Sequence, residues 1–257
     1  MIIFGKHLLG RTLYDQKKYS EAERAFQQAA DQRERTLGED HSHTLSSKHW
    51  LGLTLYNQKK YIEAERAFQQ AADARERTLR KDHNDTLSSK HWLGLALYNQ
   101  ARYSEAETAF QQAVDGRERT LRKNNNDTLS SKHWLGLALY NQARYSEAER
   151  AFQQAADGRE RTISSYHNDT LSSKHWLGLA LYNQARCSEA ERAFQQAADG
   201  REMTLCKDHN DTLSSKHWLG LALYNQAKYS KAERAFQQAA DGRERTLGKD
   251  YNYTLNS

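Results

Sequence analysis

Tryptophan returns at a fixed step of 42 residues, at Trp50, Trp92, Trp134, Trp176 and Trp218, and a phenylalanine keeps the same step from Phe26 to Phe236. A period of this size means that one supersecondary unit is stacked on copies of itself, each touching only its neighbours. The 257 residues therefore read as one repeat domain spanning 1–257. Its units lie at about 1–42, 43–84, 85–126, 127–168, 169–210 and 211–252, and 253–257 begins a seventh.

Each unit carries two helical patterns, illustrated by the third. The first helix is expected from about Asp85 to Gln100, with Asn84 or Asp85 accepting the free N–H groups of the first turn. Its centre, Trp92 to Tyr98, is apolar nearly all the way round, as in a helix packed on most of its sides, and Gly94 is expected to admit a neighbouring helix closely. The second helix is expected to open on Ser104-Glu-Ala-Glu107, a Ser-x-x-Glu capping box. The box recurs at Ser20/Glu23, Ser146/Glu149, Ser188/Glu191 and Ser230/Glu233, and is missing where Ile62 stands. Tyr103, Ala106, Phe110, Ala113, Val114, Arg117 and Leu121 then form one stripe at helical spacing. Gly116, Gly158, Gly200 and Gly242 interrupt that helix, where a slight bend or a close contact is expected. The joints, such as Arg122 to Asp127, are short and polar.

Composition narrows the function classes. The net charge of +5 arises mostly from Arg and Lys interleaved with Glu, the pattern of solvated helix faces rather than a nucleic-acid patch. Pro is absent, and no apolar run approaches the length of a membrane span. Cys187 and Cys206 have no metal or redox spacing, which points to a reducing, cytoplasmic setting. At the start, His7, Leu9 and Gly10 fall in register with His49, Leu51 and Gly52, so the opening reads as a truncated first repeat rather than a signal peptide. There is no Gly-rich phosphate loop, His-Glu-x-x-His motif, paired-cysteine site or nucleophile elbow. A catalytic site needs one special place, whereas every candidate here is copied five or six times. The chain is therefore read as a non-enzyme with no catalytic residue and no cofactor. A metal on the His7-to-His217 column is also not expected. Packed helices stand about 8–10 Å apart, while two imidazoles sharing a zinc each lie about 2 Å from it.

The spacing of Leu93-Gly94, Tyr103, Ala106, Phe110 and Ala113 resembles the tetratricopeptide repeat. The 42-residue period, with the joints Arg33 to His41 and Arg243 to Asp250, is more narrowly similar to the kinesin-light-chain type. Arrays of nearly identical units are also similar to the C-terminal repeats of fungal NOD-like receptors. The chain departs from the family pattern in three ways: His83-Asn-Asp-Thr86 lacks the usual Pro, Ala101, Ala143, Ala185 and Ala227 replace the Gly between helices, and His91-Trp92 stand for Asn-Asn.

The resemblance implies an all-α, right-handed α-solenoid, a superhelix of six helix-turn-helix repeats whose first helices line a concave groove. Carried over residue by residue, the groove set of the third repeat is Ser88, His91, Leu95, Tyr98 and Asn99. The candidate ligand contacts across the repeats are His49, Tyr56, Asn57, His91, Tyr98, Asn99, His133, Tyr140, Asn141, His175, Tyr182, Asn183, His217, Tyr224 and Asn225. Histidine titrating near its ordinary pKa of about 6.5 would make such a groove favour acidic partners at mildly acid pH.

The expected function is a protein–protein interaction scaffold holding a peptide or protein surface, as in the recognition region of a fungal NOD-like receptor. Alternatives are a kinesin-light-chain-like cargo adaptor, a single-stranded nucleic-acid binder or an artificial consensus array. Identical groove residues would read only a repeated base, which counts against nucleic acid. Ile2, Ile3 and Phe4 at one end, and the incomplete Tyr251 to Ser257 at the other, point to head-to-tail self-association.

Overall fold

A computed structural model describes residues 2–120 and 124–247, with side chains from Gly5 to Thr246, and among these residues there are twelve helices and no strand. Leu121 of the stripe, Arg122 and Lys123 of the joint, the side chains of Ile2, Ile3 and Phe4, and the seventh-unit segment Tyr251 to Ser257 lie outside that set. The chain divides into two compact units, 1–123 and 124–257. The first holds α1 (Ile2–Asp15), α2 (Tyr19–Leu37), α3 (Ser42–Asn57), α4 (Tyr61–Thr78), α5 (Asn84–Asn99) and α6 (Tyr103–Thr120). The second holds α7 (Asn126–Asn141), α8 (Tyr145–Thr162), α9 (Asn168–Asn183), α10 (Cys187–Thr204), α11 (Asn210–Tyr224) and α12 (Tyr229–Leu247). Within each unit every helix packs on the next, and successive first helices also touch, so each unit is an α-solenoid of helix-turn-helix repeats.

Glycine and phenylalanine close each pair. A Cβ on Gly94 would stand 2.7 Å from Phe110 Cε1, so only a bare backbone lets that ring lie flat against α5. Phe68, Phe110, Phe152 and Phe194 are accordingly 0% exposed. The close approach foreseen at Gly94 is thus made by the second helix of its own pair. Gly158, inside α8, allows a second close contact, because a Cβ there would overlap Leu129 of α7. The helix continues through it.

Helix starts differ from the sequence reading. α5 begins at Asn84, one residue early, and its cap is His83, whose Nδ1 accepts the Asp85 N–H at 3.2 Å. His41, His167 and His209 act alike, and Asn125 caps α7 through its side-chain oxygen. At α2, α8 and α10, where the helix start is described, the Ser-x-x-Glu box does not cap. α8 begins at Tyr145 and its cap residue, Arg144, makes no side-chain cap bond. Ser146 is therefore already inside the first turn rather than at the cap position, and its hydroxyl donates to Gln184 Oε1 at 2.9 Å. Glu149 accepts from Gln184 Nε2 (2.9 Å) and Arg186 Nη1 (2.6 Å). Residues that look like a local cap instead tie one repeat to the next.

The turn inside each pair runs through the left-handed region, with φ between 58° and 61° at Lys17, Lys59, Ala101, Ala143, Ala185 and Ala227. A residue with a Cβ costs roughly 1 kcal/mol there, which explains why glycine is the family's usual choice. The joint between pairs holds its shape without proline. The fully buried Thr86 donates to Arg80 O (3.1 Å), Thr170 to Ser164 O (2.8 Å) and Thr212 to Cys206 O (2.9 Å).

Candidate functional site

The His column lies in the seam between repeats. In the first unit, Ser89 Oγ receives Arg75 Nη1 at 2.7 Å and sits 3.2 Å from His49 Nδ1. In the second, Ser173 receives Arg159 at 2.7 Å beside His133 at 3.1 Å, and Ser215 receives Arg201 at 2.6 Å beside His175 at 3.1 Å. Each arginine also donates to a backbone carbonyl at the next helix start, as Arg159 does to Asp169 O (3.0 Å). His49, His91, His133 and His175 are only 8–9% exposed. Burial, reinforced by the adjacent guanidinium, lowers each of their pKa values to about 3. These rings are neutral at any ordinary pH, so the expected titration near pH 6.5 does not occur. The reason is their position in the seam, which the sequence spacing alone left undecided. His217, on the last first helix, is more open, and its Nδ1 has no partner among the described residues.

Tyrosine and asparagine, by contrast, reach the surface together. Asn57 Nδ2 donates to Tyr14 Oη and to Leu53 O, both at 2.8 Å, and Asn99 Nδ2 repeats the pattern with Tyr56 Oη (2.9 Å) and Leu95 O (2.8 Å). In the second unit Asn183 donates to Tyr140 and Asn225 to Tyr182, both at 2.9 Å. Both amide hydrogens of Asn57 and Asn99 are thereby used, so what remains for a ligand is the Asn carbonyl as acceptor and the Tyr hydroxyl as donor. The asparagines are exposed and the internal tyrosines half-buried. Burial raises the pKa of Tyr56 and Tyr140, keeping the hydroxyl protonated. Asn141 donates to Leu137 O at 2.8 Å. Tyr224 is 55% exposed.

Tryptophan belongs to the packing. Trp92 stacks on Phe68 of the preceding repeat at 6.1 Å and meets Tyr56 edge-on at 5.5 Å, and Trp176 does the same with Phe152 (6.2 Å) and Tyr140 (5.4 Å). The sequence reading did not find a row of outer clefts between successive second helices. One of about 490 Å³ lies between α2 and α4 over α3, lined by Gln27, Glu34, Lys48, Leu51, Asp73 and Arg77. Equivalent clefts lie between α4 and α6, and between α10 and α12. In each, a lysine stem crosses the floor and its ammonium pairs with a glutamate: Lys48–Glu34 at 3.1 Å, Lys90–Glu76 at 2.8 Å, Lys216–Glu202 at 2.8 Å. The signal in the sequence was the lysine that recurs on the first helix at the 42-residue step, at Lys48, Lys90 and Lys216.

Comparison with known proteins is consistent across most of the chain. One tetratricopeptide repeat family model matches residues 43–119 and 127–203, and a second matches 6–43 and 212–250. A search of curated proteins found no match. Among solved structures, the nearly identical TPR-like repeats of a Podosopora anserina protein assigned to the kinesin light chains are 26% identical, with a TM-score of 0.69 over 79% of this chain and 96% of that one. BtubC (BKLC) from P. vanneervenii superposes with a TM-score of 0.74 at 16% identity over 92% and 94% of the two chains. YrrB, described as a TPR protein with an unusual peptide-binding site, gives 0.62 at 16% identity over 90% and 96%. At those identities the last two speak for the fold alone.

Proposed function

Because the chain belongs to the tetratricopeptide repeat family, whose members serve as protein–protein interaction scaffolds, we propose that it holds an extended peptide along the face of its first helices. The observation that carries this reading is the repeated Asn–Tyr pair. Tyr56 with Asn99, and Tyr140 with Asn183, each offer one hydroxyl donor and one carbonyl acceptor at the surface. An extended backbone presents the complementary groups, one N–H and one C=O per residue. Within each unit, similar small contacts on successive repeats then sum along a ligand. In this reading His49, His91, His133 and His175 support the surface from beneath, while Tyr56, Asn57, Tyr98 and Asn99 in the first unit, and Tyr140, Asn141, Tyr182, Asn183, Tyr224 and Asn225 in the second, are the ligand-contact positions. The likeness to kinesin-light-chain-type repeats supports a cargo-adaptor role. The near identity of the copies supports the recognition region of a receptor of the fungal NOD-like kind, acting in the cytoplasm.

Peptides displayed on phage, about twelve residues long, provide the test. Those selected on the unchanged protein should bind Tyr140→Ala and Asn183→Ala at least about tenfold more weakly, equivalent to roughly 1.4 kcal/mol each. Selected peptides that ignore both substitutions but are lost with Arg150→Glu or Gln154→Arg, two exposed positions on α8, would move the binding surface to the outer helices.

A further inference from the structure

Within each unit the Asn–Tyr pairs return at one fixed interval. In the first, Asn57 with Tyr14 and Asn99 with Tyr56 are successive copies, and in the second, Asn183 with Tyr140 and Asn225 with Tyr182. Each asparagine is also tied to its own helix, Asn99 through Leu95 O (2.8 Å) and Asn183 through Leu179 O (2.9 Å), so the pair is fixed in orientation as well as in place. The step from one pair to the next is the spacing of successive first helices, which touch and so stand about 8–10 Å apart. A ligand that meets every pair alike must show the same groups, on the same side, once in that distance. A β-strand returns to one face every two residues, about 6.7 Å, and after three residues, about 10 Å, it shows the opposite face. An α-helix has already spent its N–H and C=O groups on one another. A polyproline II helix has three residues per turn and rises about 3.1 Å per residue, so it returns to one face roughly every 9.3 Å, with its backbone groups unpaired.

We infer that the ligand of this face is a proline-rich segment in the polyproline II conformation with a three-residue period, a ligand class that rests on the peptide reading above. Each turn sets one carbonyl against a Tyr hydroxyl and one N–H against an Asn carbonyl, the two groups that a pair still offers. Proline has no N–H, so one residue in three must be of another type to supply it. The other two positions of the turn suit proline, which sets the conformation before binding and lowers the cost of ordering the ligand. The rings suit the same ligand. Half-buried Tyr56 has Tyr61 and Trp92 edge-on at 5.4 and 5.5 Å, and half-buried Tyr140 has Tyr145 and Trp176 at 5.3 and 5.4 Å. Such aromatic clusters are the surfaces on which polyproline II ligands dock.

Titration of the full chain with a peptide of three Pro-Pro-Gln copies, blocked at both ends, tests this. It should bind with a Kd of about 100 µM or tighter. A peptide of the same composition with its glutamines at irregular spacing keeps the conformation and loses the period, and one of three Thr-Thr-Gln copies does the reverse. Each should bind at least about fivefold more weakly. Asn99→Ala and Asn183→Ala combined, one exposed position in each unit, should weaken the first peptide by a similar factor. Absence of binding up to about 1 mM, equal binding of either control peptide, or indifference to the asparagine substitutions would each overturn the inference. Phage-selected peptides that need Tyr140 and Asn183 but carry no three-residue period would overturn it while leaving the peptide reading intact, whereas peptides that ignore both residues would remove the two together.

Discussion

Contacts inside a helix pair and contacts between pairs are built from different chemistry. Inside, Phe152 lies on the bare backbone of Gly136 with the His133 ring edge-on at 5.5 Å, wholly removed from solvent. Between pairs, an aromatic stack of Phe152 on Trp176 is flanked by the buried Arg159–Ser173–His133 cluster and the Glu149–Gln184–Arg186 cluster. Apolar packing fixes distance and hardly cares about register, whereas a guanidinium and an imidazole converging on one hydroxyl tolerate a single alignment. The pair is thus held by volume and the stack is indexed by polar geometry.

Removing volume should be the costliest change. Phe152→Ala is expected to lose about 3–5 kcal/mol in chemical denaturation, and Phe236→Ala distinctly less because that ring is only half covered. Equal losses would mean that the final pair is packed like the others. Acid should act on the other class of contact. With a folded pKa of about 3 for His133 and His175 against about 6.5 unfolded, the unfolded chain binds more protons below pH 6.5. Stability therefore falls as pH drops from 6.5 toward 3, by roughly 2 kcal/mol per such imidazole at pH 5. Denaturant midpoints at pH 7.5 and pH 5 measure it, and His133→Gln should reduce the difference. The smallest expected effect is a gain. Ala143→Gly relieves the left-handed turn at φ 58° and should raise the midpoint by the equivalent of about 1 kcal/mol or less, the Cβ penalty being partly offset by glycine's greater unfolded freedom. A lowered midpoint would show that the turn is not strained.

What could be read in advance was whatever depends on spacing along one helix. The Gly136 and Phe152 columns, the apolar centre of the first helix and the two-helix unit all follow from a period of 3.6 residues repeated every 42. What could not be read was the choice between partners that are near in sequence and partners that are near in space. Ser146 and Glu149 stand at capping distance from each other, yet both turn to Gln184. His83 lies outside the helix pattern and still caps it, because its ring nitrogen is where the Asp85 N–H points. The candidate surface divided in the same way. Tyr140 and Asn183 come together across a repeat boundary, while His133 turns into the seam toward Ser173, a residue 40 positions away.

The sameness of the junctions has an evolutionary corollary. Excising residues 43–84 in frame would present Ser89 to His7 and Arg33, Trp92 to Phe26, and Gln100 with Arg102 to Glu23, in place of Ser47, Trp50, Gln58 and Lys60. No new interface would have to be invented. Unequal recombination between copies can therefore lengthen or shorten the array by whole units without passing through a misfolded intermediate, and copy number becomes a trait that selection can set by the reach required of the protein rather than by its ability to fold.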